Sequence, residues 1–414
     1  MKFPKVLIAA AATVAMVVPL AACGGGSADG GKTTITYFSW NNEKTMKPIV
    51  EAFEKANPDI HVEMSAAQGE GNEYAQTLTT RAAGNQLPDV FHMSLETRNE
   101  VLDAGLVRDI TNEDFVKNLP DTQTYLYNRD GKIYGMSPTV WVGGIVYNKD
   151  ILKEVGYDSI PETLDEFIEL GKKLQEKNIT PYMEDLSVIS GSFQPMLGGY
   201  YAGQNIDSSK WPEMDEGGKF VEEWTPVLEQ WIKLVDSGVL PKETVGVSED
   251  NIKQNFMTGQ LAMFRSGPWD FADLDSSGVN YAMAAFPGVD GGKPYVGGGP
   301  DSPFAISSKI DGAKLEAAKK FVGFMNSEEG LKLEEKYINQ ISVSPEYKAN
   351  VAPQLKDVYD KYVTQGYFYG TNWVRNGALM SQEMTAQFQL LVQGQASVAD
   401  VVKDLDAKWA EGAK

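Results

Sequence analysis

GKIYGMSPTVWVGGIVYNKD, residues 131–150, decides how the rest of the chain is arranged. Gly131 is a turn residue, and Ile133 to Met136 is a short apolar run. Pro138 interrupts it. A proline has no N–H to give to a sheet ladder, so this position is not inside a regular central strand. Val140 to Tyr147 is a second apolar run with Gly143-Gly144 inside it, and Asn148-Lys149-Asp150 opens a helix. The stretch reads as an extended chain that leaves one sheet, bends at Pro138 and enters another, with Trp141 at the crossing. A crossing between two lobes lines their cleft, where small molecules tend to bind.

Upstream, the chain alternates. Thr33 to Trp40 is β-branched and aromatic and predicts a strand. Thr45 to Asn57 has apolar residues at helical spacing and stops at Pro58. Ile60 to Met64 predicts a strand, Tyr74 to Ala83 a helix, Val90 to Met93 a strand and Arg98 to Ala104 a helix. Strand–helix alternation predicts a mostly parallel sheet with helices on both faces, and ligands outside the carboxyl ends of its strands. Trp40, Asn41, Gln68, Glu70, His92 and Glu96 fall at or just after such ends.

Downstream, Leu164 to Lys177 is an amphipathic helix. Ser190 to Gly203, aromatic-rich with Phe193, Tyr200 and Tyr201, reads as a loop. Glu222 to Ser237 and Ile252 to Thr258 read as helices, and Gln260 to Phe264 and Val279 to Ala285 as strands. The chain crosses back near Tyr295 to Ser307, where Gly297 to Gly299 suit a backbone that bends or lies against a ligand. Helices follow over Leu315 to Met325 and Glu328 to Tyr337, a third crossing at Ile338 to Pro345, and helices at Ala378 to Leu391 and Val398 to Trp409.

A chain of 414 residues exceeds one ordinary core, so two domains are expected. Its 42% hydrophobic and 23% charged content is that of a globular protein. A formal charge of -20 argues against nucleic acid or an anionic membrane surface as partner. Lys2 and Lys5, then the apolar run Val6 to Leu20, form a secretory signal too short to span a bilayer. Cys23, the single cysteine, makes no internal disulfide. Leu20-Ala21-Ala22-Cys23 resembles a bacterial lipobox, which implies cleavage before Cys23 and diacylglycerol on its thiol; the alternative is an ordinary signal with an incidental cysteine. Gly24 to Lys32 is a Gly/Ser-rich tether.

Trp40, Trp141, Trp269 and Trp373 follow or interrupt turn signals and do not continue helical stripes. Aromatic faces on loops, with short polar side chains nearby, are what stacking on a sugar ring requires. Glu70, Glu96 and Asp301 are candidate acceptors for hydroxyls, and Arg265, Asn41 and Gln68 add polar contacts; a solvated surface position is the commoner fate of such residues. Phe193 and Gly298 complete the candidate set. With two histidines, His61 and His92, in different strands, there is no metal spacing, nucleophile elbow or phosphate loop, and no cofactor is expected. Paired carboxylates for glycoside hydrolysis stay open, since any 57 acidic residues contain candidate pairs. Tyr200-Tyr201 resembles the adjacent tyrosines of ferric-ion-binding proteins, with core or cleft-lining aromatics the blander reading.

Residues 53–64, FEKANPDIHVEM, and 87–94, LPDVFHMS, together with the 131–152 stretch and PETLDEF at 161–167, begin a longer series. GQLAMFRSGPWD at 259–270, FAISSK at 304–309 and FVGFMNSEEG at 321–330 complete it in order. The mature chain thereby resembles the extracellular solute-binding proteins of carbohydrate uptake, the family that includes maltose-binding protein. That resemblance implies two α/β lobes with mixed, mostly parallel sheets, closing on an oligosaccharide and docking on an ABC-type permease. It implies lobes of 33–137 with 298–342 and 138–297 with 343–414, after a signal of 1–22 and a tether of 23–32. It places Trp269, Trp373, Trp141, Trp40 and Asn41 against sugar, whereas His92-Met93 stand where the maltose-binding branch often has an aromatic. A lipid-anchored, monomeric receptor on a Gram-positive cell is what it implies for location. An anchored glycoside hydrolase, or a receptor for a polyamine or ferric ion, are the alternatives.

Overall fold

Thr33–Ser39 is an inner strand of a four-stranded sheet, in the computed structural model of the chain, which describes residues 31–66, 72–93, 95–206, 218–301, 303–371 and 377–411. Its alternation works as a two-sided sheet requires. Ile35 and Tyr37 enter one buried cluster with Phe53 and Phe321, while Phe38 enters another with Tyr74 and Leu78. Ile60–Ala66 and Val90–His92 pair with it in parallel, and Phe304–Ile306 adds antiparallel to Val90–His92. The first connecting helix, Glu43–Ala56, is capped by Asn42, whose side chain accepts from Thr45 N at 3.1 Å. Met46, Ile49, Val50 and Phe53 form its buried stripe. Helices Gly312–Met325 and Glu328–Ile338 contribute to this half of the molecule, with Ala317, Phe321, Val322 and Met325 in the same cluster.

The second sheet is arranged differently. Thr139–Asn148 is its spine, and it runs antiparallel to Val296–Pro300, Leu261–Ser266, Tyr281–Ala284 and Ile341–Ser342. Parallel pairing is confined to Thr180–Met183 with Leu261–Ser266 and Val296–Pro300 with Phe368–Tyr369. The two sheets make a two-lobed molecule joined where residues 131–150 cross. Met136 still bridges Phe304 of the first sheet, and three residues later Thr139 opens the strand of the second.

Two elements differ from the expectation. Ser190 to Gly203 is no loop: Phe193–Gly203 is a helix. Nearly all of its sides are buried, so it lacks the polar face that makes a helix visible in sequence. Its Gly198 and Gly199 admit Tyr369 and the carbonyl of Lys293 against the helix, so they serve packing and not a turn. The expected helix over Glu222 to Ser237 is three short pieces, Phe220–Glu223, Thr225–Trp231 and Lys233–Asp236.

The three crossings are tied to one another. Asp301 N donates to Thr139 O at 3.1 Å, and Val343 N donates to Pro138 O at 3.1 Å. The Ser137 hydroxyl reaches the carbonyls of Thr139, at 2.8 Å, and of Asp301. Thr139 Oγ1 donates to Gln340 Oε1, and Gln340 Nε2 donates to Asp301 Oδ2 at 2.6 Å.

Candidate functional site

Trp141, Gly143 and Ile145 point to one face of the spine strand, because side chains alternate along it. Gly143 is the register partner of Gly297, so two residues without side chains meet on that face. The bare patch is where neighbouring side chains come to rest. A Cβ at Gly297 would lie 3.5 Å from Trp141 Cζ3, and one at Gly370 3.1 Å from Trp141 Cζ2. A Cβ at Gly143 would lie 3.3 Å from Arg265 Nη2. The indole of Trp141 and the guanidinium of Arg265 therefore lie side by side on a floor of glycine backbone. Arg265 reaches it because it stands opposite Ile145 in the antiparallel register.

Trp269 follows immediately, in the short turn Pro268–Asp270. It is 43% exposed, an unusual state for a tryptophan. Its ring lies 5.0 Å from Arg265 Cζ, and its Nε1 donates to Glu249 Oε1 at 3.2 Å. Asp270, next to it, is held by Ser266 Oγ at 2.5 Å and Lys253 Nζ at 2.9 Å, which pins the turn to the lobe. Two aromatic plates thus flank one cation on a flat surface beside the crossings, an arrangement suited to a ligand with apolar faces and hydroxyl edges.

On the first lobe, Trp40 lies just past its strand, half-buried against Tyr74 at 4.9 Å between ring centroids. Tyr74 is itself fixed: its hydroxyl donates to His92 O at 2.9 Å and accepts from His92 N at 2.8 Å. Asn41 is half-buried and lines a small enclosed cavity with Tyr37, His92, Thr139, Glu334 and Gln340. Tyr125 packs on the first lobe's core and also lines a groove with Gly298, Gly299 and Tyr369 of the second.

Four expected ligand residues are placed elsewhere. His92 is 1% exposed, with its Nε2 2.5 Å from the Tyr37 hydroxyl and its ring against Phe304, so it supports the sheet from inside. Phe193 is fully buried between Trp224, at 4.9 Å, and Phe388, at 5.0 Å; it is core because the segment carrying it is a buried helix. Asp301 gives its carboxylate to Gln340 in the crossing knot. Gly298 faces away from the Trp141 side, toward Phe368. Tyr201 of the Tyr200-Tyr201 pair is a core ring packed on Tyr369. Gln68, Glu70 and Trp373 lie outside the described residues, as does the Glu96 side chain within the helix Leu95–Asp103.

The structure also brings in residues that sequence reasoning passed over. Gln194 Oε1 accepts from Thr371 N at 2.8 Å and Thr371 Oγ1 at 2.9 Å, fixing the chain just before Trp373. Gly191 lies against the Arg265 side chain. The signal for both was the Ser-Gly-Ser triplet at 190–192, a turn marker that precedes a helix.

Residues 39–332 match the family of bacterial extracellular solute-binding proteins. The chain belongs to that family. A solved family 1 extracellular solute-binding protein from Bifidobacterium longum subsp. infantis is 41% identical, with a TM-score of 0.84 over 92% of this chain and 100% of that one. The multiple sugar-binding protein of Streptococcus mutans is 28% identical over 329 residues, 75% of this chain and 76% of its own. The unliganded structure of RafE from Streptococcus pneumoniae shares the fold, with a TM-score of 0.72 at 22% identity over 94% of this chain and 100% of that one. Its relatives are binding proteins of transporters, and among the described residues no helix of this solute-binding protein is long and apolar enough to cross a membrane.

Proposed function

We propose that this protein binds an oligosaccharide outside the cell and delivers it to an ABC-type permease. The observation that carries the reading is the glycine floor bearing Trp141 and Arg265, with the exposed ring of Trp269 beside it at the lobe junction. Relatives named as multiple sugar-binding protein of Streptococcus mutans and maltooligosaccharide transporter lipoprotein of Streptococcus pneumoniae support it, as does a structure titled RafE in complex with raffinose. Trp40 and Asn41 form the facing wall, and Gln68, Glu70, Glu96 and Trp373 are further candidate sugar contacts. The protein performs no catalysis, acts as a monomer and takes no cofactor.

The two lobes, with 298–300 and 341–342 going with the second sheet to which they pair and not with the first lobe, rotate about the three crossings, and ligand stabilises the closed form. Residues 1–22 are removed, Cys23 carries lipid, and residues 23–32 tether the lobes to the outer face of a Gram-positive cell membrane. Calorimetry and thermal shift against maltotriose, raffinose and chitotriose test the ligand class. The expected result is heat and a raised melting temperature with at least one, since a ligand bound only by the native state stabilises it. No response to any of them overturns the oligosaccharide reading.

A further inference from the structure

Arg265 is half-buried, and among the described residues its guanidinium has no hydrogen bond and no ion pair; the ring of Trp269 lies beside it and the Tyr182 hydroxyl is within its electrostatic reach. Its five N–H donors are therefore free to take an acceptor from a ligand. Their planar fork matches two oxygens lying side by side. The glycine floor offers the guanidinium no side-chain acceptor, and the ring of Trp269 lies beside it.

The guanidinium is also held in place from behind. Its stem rests on Gly191, where a Cβ would lie 2.6 Å from Nε. Gly191 sits between two serines bound to one buried carboxylate. Glu184, with no exposed surface, accepts from Ser192 N at 2.8 Å, Ser190 Oγ at 2.9 Å, Ser192 Oγ at 2.8 Å and Tyr182 OH at 3.2 Å. Ser192 Oγ in turn accepts from Trp231 Nε1 at 2.7 Å. A buried carboxyl group with four hydrogen bonds fixes the turn more firmly than backbone contacts alone.

We propose that Arg265 reads two adjacent oxygens of the bound sugar, and that Glu184 is a positioning residue which sets that guanidinium through Gly191 without touching ligand. The proposal rests on the sugar-binding reading above. The paired oxygens come either from vicinal hydroxyls of a neutral sugar or from a uronic-acid carboxylate.

The experiment is calorimetry on the whole mature protein with maltotriose, raffinose, chitotriose and an aldotriuronic acid, at low and high sodium chloride. With the probe that binds, Arg265→Gln is expected to weaken affinity about tenfold or more, and Arg265→Lys nearly as much because an ammonium cannot fork. Glu184→Gln is expected to weaken it about fivefold, a smaller loss than a direct contact gives. That loss disappears when Glu184→Gln is made in the Arg265→Gln background, a non-additivity that general loss of stability does not produce. Ser190→Ala, which removes one donor from Glu184, repeats the test should Glu184→Gln fail to fold. Preference for the uronic acid, suppressed by salt, identifies a carboxylate; salt-independent binding of a neutral probe identifies a hydroxyl pair. Wild-type binding left unchanged by Arg265→Gln, or fully additive losses, overturns the proposal and leaves the sugar-binding reading standing. Absence of heat with every probe overturns both.

Discussion

Two of the buried carboxyl groups, Glu184 and Glu334, are treated in opposite ways. Glu184, in the second lobe, is surrounded by four donors. Glu334, beside the crossings, is 2% exposed, and its Oε1 has no partner among the described residues. Burial raises both above the ordinary carboxylate range. At Glu184 the hydrogen bonds pull it back, whereas at Glu334 the neighbouring Asp301 carboxylate raises it further. The difference teaches where this molecule is rigid. Polar groups are saturated behind the Arg265 guanidinium, and one is left wanting next to the crossings between the lobes.

The comparison can be sharpened by substitutions of decreasing effect. Phe193→Ala, beside the Glu184 turn, is expected to destabilise by about 4 kcal/mol, because it empties a fully buried site between two other rings. Chemical denaturation measures it, and a loss under about 1 kcal/mol would mean that the helix is not packed as described. Glu184→Ala is expected to cost about 3 kcal/mol in the same assay, from stranding the serine and tyrosine donors in the interior. Trp269→Ala, exposed and only a few residues away in space from Arg265, is expected to leave the melting temperature nearly unchanged while lowering sugar affinity about 30-fold, or ~2 kcal/mol. Equal affinity of that variant and the wild type would break the link between exposure and function.

Glu334→Gln has the smallest expected effect, and its sign depends on pH. The folded state holds a proton on Glu334 that the unfolded chain releases at the ordinary carboxyl value. Its contribution is therefore complete below that value and is lost as pH rises from it toward the elevated folded one. Glutamine is neutral throughout, so the variant is expected to gain on the order of 1 kcal/mol over the wild type at pH 8 and nothing at pH 4. Denaturation curves at both pH values decide it; parallel pH dependence in the two proteins would show that Glu334 is ionised in the fold.

Much of this was legible beforehand, for reasons that particular residues make clear. Pro138 between two apolar runs marked the crossing because a proline is excluded from the ladder on either side. Met46, Ile49, Val50 and Phe53 marked a helix because they recur with its period. Trp269 was legible as an exposed ring because Gly267 and Pro268 precede it. The helix Phe193–Gly203 was not, since a helix buried on almost all sides has no polar stripe to give its period away. Nor was the fate of His92 and Asp301. Both stand at strand ends where ligand residues are common, and only the three-dimensional neighbours Tyr37 and Gln340 decide that they face inward. Glu184 is the extreme case, an acidic residue in an unremarkable Met-Glu-Asp run whose role follows entirely from serines met later in the chain.

Val140 has Pro300 opposite it on one side and Ile341 on the other. All three passages between the halves therefore meet in a single rung, and none can slide past its neighbour without breaking it. On the proposed hinge reading, domain motion would be confined to torsion about that rung, like a door whose hinges share one pin. Amides around residues 139–140 should consequently be among the slowest in the chain to exchange with solvent, whether the cleft is filled or empty.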